Sequence, residues 1–153
     1  MGEAAMIRII GGAMLLLATS AGAVPVTHFP AAAAPFAVGA PPPFSAAVRA
    51  EDTLYVAGTT DADPKTGKAA PDAASGARVV LDKIKATVEA AGLTMNDLVW
   101  VQVFATDLAD YNAFNTVYRD YFTGPMPARA FIGAGSLLGG AHFEVMGIAV
   151  KAK

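Results

Sequence analysis

A single chain of 153 residues with a formal net charge of −2 has room for one domain and lacks the basic surplus that nucleic-acid binding needs. It contains no cysteine, which excludes disulfides, a thiolate nucleophile and zinc-thiolate sites. The hydrophobic fraction of 54% supplies a sizeable core, although the N-terminus contributes part of it.

The chain opens on MGEAAMIRIIGGAMLLLATSAGA. Arg8 precedes an apolar run from Ile9 to Ala18, and Ala21-Gly22-Ala23 fits the small-x-small rule for signal-peptide cleavage. The run is too short and too broken by glycine to span a membrane, which takes about 20 apolar residues. Residues 1–23 are therefore expected to be a leader removed on export to a bacterial periplasm, leaving no stable membrane association. A cysteine-free chain suits an oxidising compartment. Residues 24–43 are rich in Ala and Pro and show neither the helical nor the strand period. They read as an extended arm in which His28 is a solvated histidine. Residues 44–153 make up the expected domain.

FSAAVRA and TLYVAGTT, separated by Glu51-Asp52, predict two short strands joined by a tight turn. DADPKTGK is a turn cluster around Pro64 and Gly67. Its Asp61 and Asp63 lack the further acids of a calcium loop, so no metal is expected there. From Asp72 to Gly92 the spacing predicts a helix. Ala77, Val80, Leu81, Ile84, Val88 and Ala91 share its inner face, Arg78, Asp82, Lys85 and Glu89 its outer face, and Gly92 ends it. NDLVWVQVFATD predicts a central strand, with Val99, Val101 and Val103 on one face and Trp100, Gln102 and Phe104 on the other. A second helix follows, with Asp110 as N-cap and Phe114, Val117, Tyr118 and Tyr121 as its inner stripe. ARAFIGAG and HFEVMGIAV are two closing strands joined by the loop from Ser136 to Gly140. The order β-β-α-β-α-β-β describes an α+β domain, one sheet with two helices on one face. The apolar residues of its other face point to burial against further subunits.

No nucleophile elbow, P-loop or zinc-protease motif is present, and GAGSLLGG lacks the lysine and the helix that a phosphate loop needs. What remains is a pair of charges in apolar strands. Arg129 is the one formal charge between Asp120 and Glu144, and Glu144 follows it by 15 residues. If the closing strands pair, the two side chains approach each other. The residues alone leave two readings open. One is a buried structural ion pair. The other is a site in which the Arg fork takes a small carboxylate and the Glu shuttles a proton to water.

DTLYVAG, DPKTG, LDKIKATVEAAGLTMNDLV, VFATDLADYNAFNTVYRDYF, PARAFIGAGSL and FEVMGIAV together resemble the RidA/YjgF family of reactive-intermediate imine/enamine deaminases. The resemblance runs from about Pro35 to Val150. It implies a chorismate-mutase-like fold, a homotrimer with ligand clefts at the subunit interfaces, and hydrolysis of 2-imino or enamino acids such as 2-iminobutanoate to 2-oxo acids and ammonia, with no cofactor. By the same resemblance Arg129 grips the substrate carboxylate and Glu144 helps activate water, while Asn115 and Tyr118 are cleft residues. The sequence also departs from the family pattern. Phe44 replaces the Tyr of GPYS, Ala57 replaces the Ser of SGQ, Ala130 follows the Arg where PARS has Ser, and Phe131 stands where many members carry a small residue or Cys. These changes remove hydroxyls and narrow the cleft. They favour a second reading, a non-catalytic carboxylate-binding or chaperone-like protein on the same scaffold.

Overall fold

The computed structural model describes residues 22–32 and 41–151. The expected leader lies outside them except for Gly22 and Ala23, as does the middle of the arm, 33–40. One mixed sheet and two helices make up the domain: β1 (Val26–Pro30), β2 (Ser45–Ala50), β3 (Thr53–Thr60), α1 (Ala73–Ala90), β4 (Leu98–Ala105), α2 (Tyr111–Arg119), β5 (Ala128–Gly133) and β6 (Phe143–Val150). The strands lie in the order β1-β2-β3-β6-β4-β5. The α+β architecture is the expected one, with a sixth strand added at the front.

That strand corrects the reading of the arm. Val26–Pro30 pairs antiparallel with β2, His28 opposite Val48, and His28 Nδ1 lies 3.2 Å from Ser45 Oγ. His28 is exposed as expected, but on a strand rather than a linker. Nothing in its local pattern marks this strand, because pairing with β2 creates it. Pro30 sits at a register shift on the sheet edge, where its missing N–H costs no ladder bond.

Helix α1 follows its sequence signals. Asp72 Oδ1 accepts from the Ser75 amide at 2.8 Å, Val80, Leu81, Ile84 and Val88 are fully buried, and Gly92 takes φ 72° after the last turn. Arg49 Nη2 donates to the Ala91 carbonyl at 2.5 Å, tying the helix end to β2. Two other expectations fail locally. Asp110 holds the N-cap position of α2 in helical backbone geometry and makes no side-chain cap bond. The capping acid is Asp107, which accepts from the Ala109 amide at 2.8 Å and caps the preceding single turn. Val99 is exposed while Val101 and Val103 are buried, because the β4–β6 register shifts between Leu98 and Trp100 and turns Val99 out.

The largest correction concerns the closing strands, which do not pair with each other. β5 runs parallel to β4, and β6 lies between β3 and β4, antiparallel to both. A short loop between successive strands favours a hairpin. Here, however, β6 fills the centre of the sheet, where Phe143, Val145 and Ala149 are completely buried. The helices cover the face that carries Val56, Val101, Val103, Phe143 and Val145. On the opposite face the register aligns Tyr55, Trp100, Gln102, Met146 and Ile148, and neither helix covers them.

Candidate ligand site

The register fixes where Arg129 and Glu144 stand. Arg129 is opposite Val101, on the helix face, and Glu144 is opposite Phe104, on the uncovered face. They are three residues apart along β4 and two strand spacings apart across it, on the order of 14 Å between Cα atoms. The approach expected from hairpin pairing therefore does not occur within one chain, and neither does the structural ion pair.

Arg129 is held without a carboxylate. Its Nη2 donates to Asn115 Oδ1 at 2.7 Å. Its guanidinium carbon lies 4.6 Å from the Tyr118 ring centroid, 5.8 Å from those of Tyr111 and Phe114, and 5.7 Å from that of Phe131. Rings at these distances favour a cation. Among the described residues no acid lies within 4.0 Å of it, the ion pairs found being Lys85–Glu89 and His142–Asp61. Phe131 is packed edge-on against Tyr111 at 5.0 Å and Phe114 at 5.5 Å, so it belongs to the wall that positions the guanidinium. Arg129, Asn115 and Tyr118 line a cavity of about 290 Å³ with Arg119, Met126 and Pro127. The Tyr118 hydroxyl is buried without a partner, and burial raises its pKa to about 12 against the opposing pull of Arg129.

Glu144, Phe44 and Ala57 line a second cavity of about 400 Å³, largely apolar, together with Gly58, Thr59, Thr60 and residues of α1. Gly58 leaves the Glu144 carboxylate its place, since a Cβ at that position would come 2.3 Å from Glu144 Oε1. The seven expected site residues thus fall into two groups at two cavities: Arg129, Asn115, Tyr118 and the adjacent Phe131 at one, Glu144, Phe44 and Ala57 at the other, with Arg129 and Glu144 on opposite faces of the sheet.

Three features of these walls escaped the sequence reading. Lys83 lines the larger cavity and donates from Nζ to the Thr60 carbonyl at 2.8 Å and also to the Ala62 carbonyl. Burial lowers its pKa, opposed by the charges of Asp61 and Asp63. Its spacing from Gly76, Val80 and Thr87 places it on the inner edge of α1, a signal present in the sequence. Asp61 is no turn acid. It is 1% exposed and accepts from the Phe143 amide at 2.9 Å, while His142 Nδ1 lies 3.0 Å from its Oδ2. It thereby pins the start of β6 to the end of β3, just ahead of Glu144. Asp63 is the acid that shapes the turn, accepting from the amides of Lys65 and Thr66 at 2.9 and 2.8 Å. Arg119 stands four residues beyond Asn115, on the same helical face.

Comparison with known proteins places this geometry in context. The profile of the family described as Endoribonuclease L-PSP matches residues 33–151. A 2-iminobutanoate/2-iminopropanoate deaminase of Escherichia coli is 36% identical over 121 residues, covering 77% of this chain and 92% of that protein. The crystal structure of the E. coli YjgF gene product superposes with a TM-score of 0.69 at 36% identity, over 78% of this chain and 94% of that one. E. coli TdcF with bound serine superposes with a TM-score of 0.72 at 30% identity, over 82% of this chain and all of that one.

Proposed function

Because the chain belongs to the Endoribonuclease L-PSP family, which includes the RidA and YjgF proteins, we propose that it hydrolyses small 2-imino or enamino acids to 2-oxo acids and ammonia in a cleft between two copies of itself. The observation that carries this reading is the state of Arg129. The guanidinium is preorganised by Asn115 and four aromatic rings, faces a cavity and has no carboxylate within 4.0 Å among the described residues, which suits it to receive a ligand's carboxylate. TdcF binds serine, a small molecule with a carboxylate, on the same fold.

The chemistry follows from the other group. With the substrate carboxylate on Arg129 of one copy, Glu144 of a neighbouring copy takes a proton from water as its oxygen bonds to the imine carbon. That proton passes to nitrogen and leaves a carbinolamine; Glu144 then carries the hydroxyl proton to the amino nitrogen, the C–N bond breaks, and ammonia leaves as the C=O bond forms. Glu144 and Arg129 lie on opposite faces of one sheet, so this arrangement needs a second chain. The homotrimer that the family resemblance implies would supply one.

A specific observation favours a non-catalytic carboxylate binder as the second reading. Phe44 and Ala57 line the cavity of Glu144 where the family pattern has Tyr and Ser, so two hydroxyls that could serve a reacting polar group are missing from its wall. Imines generated in situ by an amino-acid oxidase decide between the two. The deaminase reading expects faster ammonia release with wild type and none with Arg129→Ala, which melts within a few degrees of wild type but is no longer stabilised by millimolar 2-oxobutyrate. Stabilisation of wild type by 2-oxobutyrate without ammonia release supports the binder. A wild type indifferent to 2-oxobutyrate, with a variant that melts far lower, makes Arg129 structural and overturns both readings.

A further inference from the structure

The cavity of Arg129 holds a second guanidinium. Arg119, in the last turn of α2, lines the same space of about 290 Å³. Both arginines rest on one residue: Arg129 Nη2 donates to Asn115 Oδ1 at 2.7 Å, and Arg119 Nη1 reaches the Asn115 carbonyl at 3.5 Å. The second contact is long and leaves most of the Arg119 fork unused. Among the described residues neither guanidinium has a carboxylate within 4.0 Å, and the cavity wall contains no acid. The combined positive field reaches Tyr111, whose hydroxyl is pulled below its ordinary pKa by a hydrogen bond with Asn115 and then by the charges of Arg129 and Arg119. The Tyr118 hydroxyl, in a residue only 4% exposed, has no partner in the same wall. An arginine in the last turn complements the helix dipole, but that role does not call for a cavity shared with another arginine.

Building on the reading of Arg129 as the grip for a first carboxylate, we propose that Arg119 receives a second anionic group, so that the site selects short dicarboxylates: 2-oxo or 2-imino acids with a further carboxylate at the far end. Two like charges facing one cavity repel each other when it holds no anion. A monoanion answers one of them and a dianion answers both. Arg119 is solvent-exposed, so the preference is screened and narrows as salt is added.

Calorimetric titration of the full chain with 2-oxobutyrate and with 2-oxoglutarate, at low and at physiological salt, tests this. Wild type is expected to bind 2-oxoglutarate about tenfold more tightly at low salt, the margin shrinking as salt rises. Arg119→Gln brings the ratio of the two affinities close to one, and Arg119→Lys keeps part of it. If wild type binds 2-oxobutyrate as tightly as 2-oxoglutarate, the dicarboxylate inference falls while the role of Arg129 stands. If Arg119→Gln weakens both ligands equally, Arg119 does not address a second anion and the inference falls as well. If wild type binds neither ligand, the reading of Arg129 fails and takes this one with it.

Discussion

Gly58→Ala tests whether Glu144 acts from the place the fold gives it. The added Cβ would lie 2.3 Å from Glu144 Oε1, 3.2 Å from its Cδ and 3.3 Å from Met146 Cε. Carbon and oxygen settle at about 3.3 Å or more, so the carboxylate must retreat by about 1 Å. Both neighbours are ends of flexible side chains, and the backbone need not move. Alanine in place of glycine gains about 0.4–1 kcal/mol through the unfolded chain, and an off-rotamer Glu side chain costs about 0.5–1.5 kcal/mol. The two nearly cancel, and the melting temperature should stay within a few degrees of wild type. Activity is more sensitive, because a shift of about 1 Å in a reacting group costs up to about 100-fold in rate. The assay is the initial rate of ammonia release from an imine generated in situ, with thermal melts in parallel. A variant with wild-type rate and a wild-type melt would show that Glu144 does not act from over Gly58. A melt lowered by more than about 10 °C would show that the backbone, not the carboxylate, absorbs the clash.

Other outcomes follow from the same geometry. Unfolded tyrosines ionise near pH 10 and Tyr118 is pushed up to about 12, so its contribution to stability is present below pH 10 and is lost as the pH rises to about 12. Tyr118→Phe should blunt that alkaline loss without lowering the melting temperature at neutral pH, since the hydroxyl has no partner; alkaline limbs that run parallel in the two proteins would refute this. Mass spectrometry of protein from the native envelope should find a chain starting at Val24, two residues ahead of β1, and a full-length mass in the membrane fraction would defeat the leader assignment. Light scattering on that form should give about three times the monomer mass, and co-refolding equal amounts of Arg129→Ala and Glu144→Gln should restore about a quarter of wild-type activity, because a site between two randomly drawn copies is intact in about one case in four. Co-refolded activity no higher than that of either variant alone would rule out a shared site.

The fold was legible wherever a residue's own neighbours decide its state. The stripe Val80, Leu81, Ile84 and Val88 named α1, and the alternation of Val101 and Val103 with Trp100, Gln102 and Phe104 named the faces of β4. Long-range choices were not legible. Val26–Pro30 becomes a strand only because β2 is there to pair with it, and β6 inserts beside β4 rather than beside β5 because its three buried side chains belong at the centre of the core. The same division holds at the site. Charge and apolar setting singled out Arg129 and Glu144 together, and the family resemblance gave them roles, but neither says which face each occupies. Asp61 was hidden inside a run of turn residues, and only the fold reveals that it bonds to an amide 82 positions away.

The sheet order also constrains how copies of this chain would meet if they share the proposed site. A strand's side chains alternate between faces, so Arg129 and Glu144, set an odd number of positions apart along β4, stay on opposite faces under any shift that keeps the core buried. No movement within one chain unites them. The face that carries Glu144 also carries Tyr55, Trp100 and Ile148, an apolar surface that the chain's own helices do not reach. In the proposed assembly, a neighbour that lays its β5 and α2 edge against this face would cover the apolar surface and deliver its Arg129 toward Glu144 in the same step. The two surfaces in that contact differ, one giving the arginine and the other receiving it, so the contact is head-to-tail. A head-to-tail contact leaves one surface of each kind open until a ring closes, which is why a cyclic assembly, rather than a two-fold dimer, is the form in which every copy's site is complete.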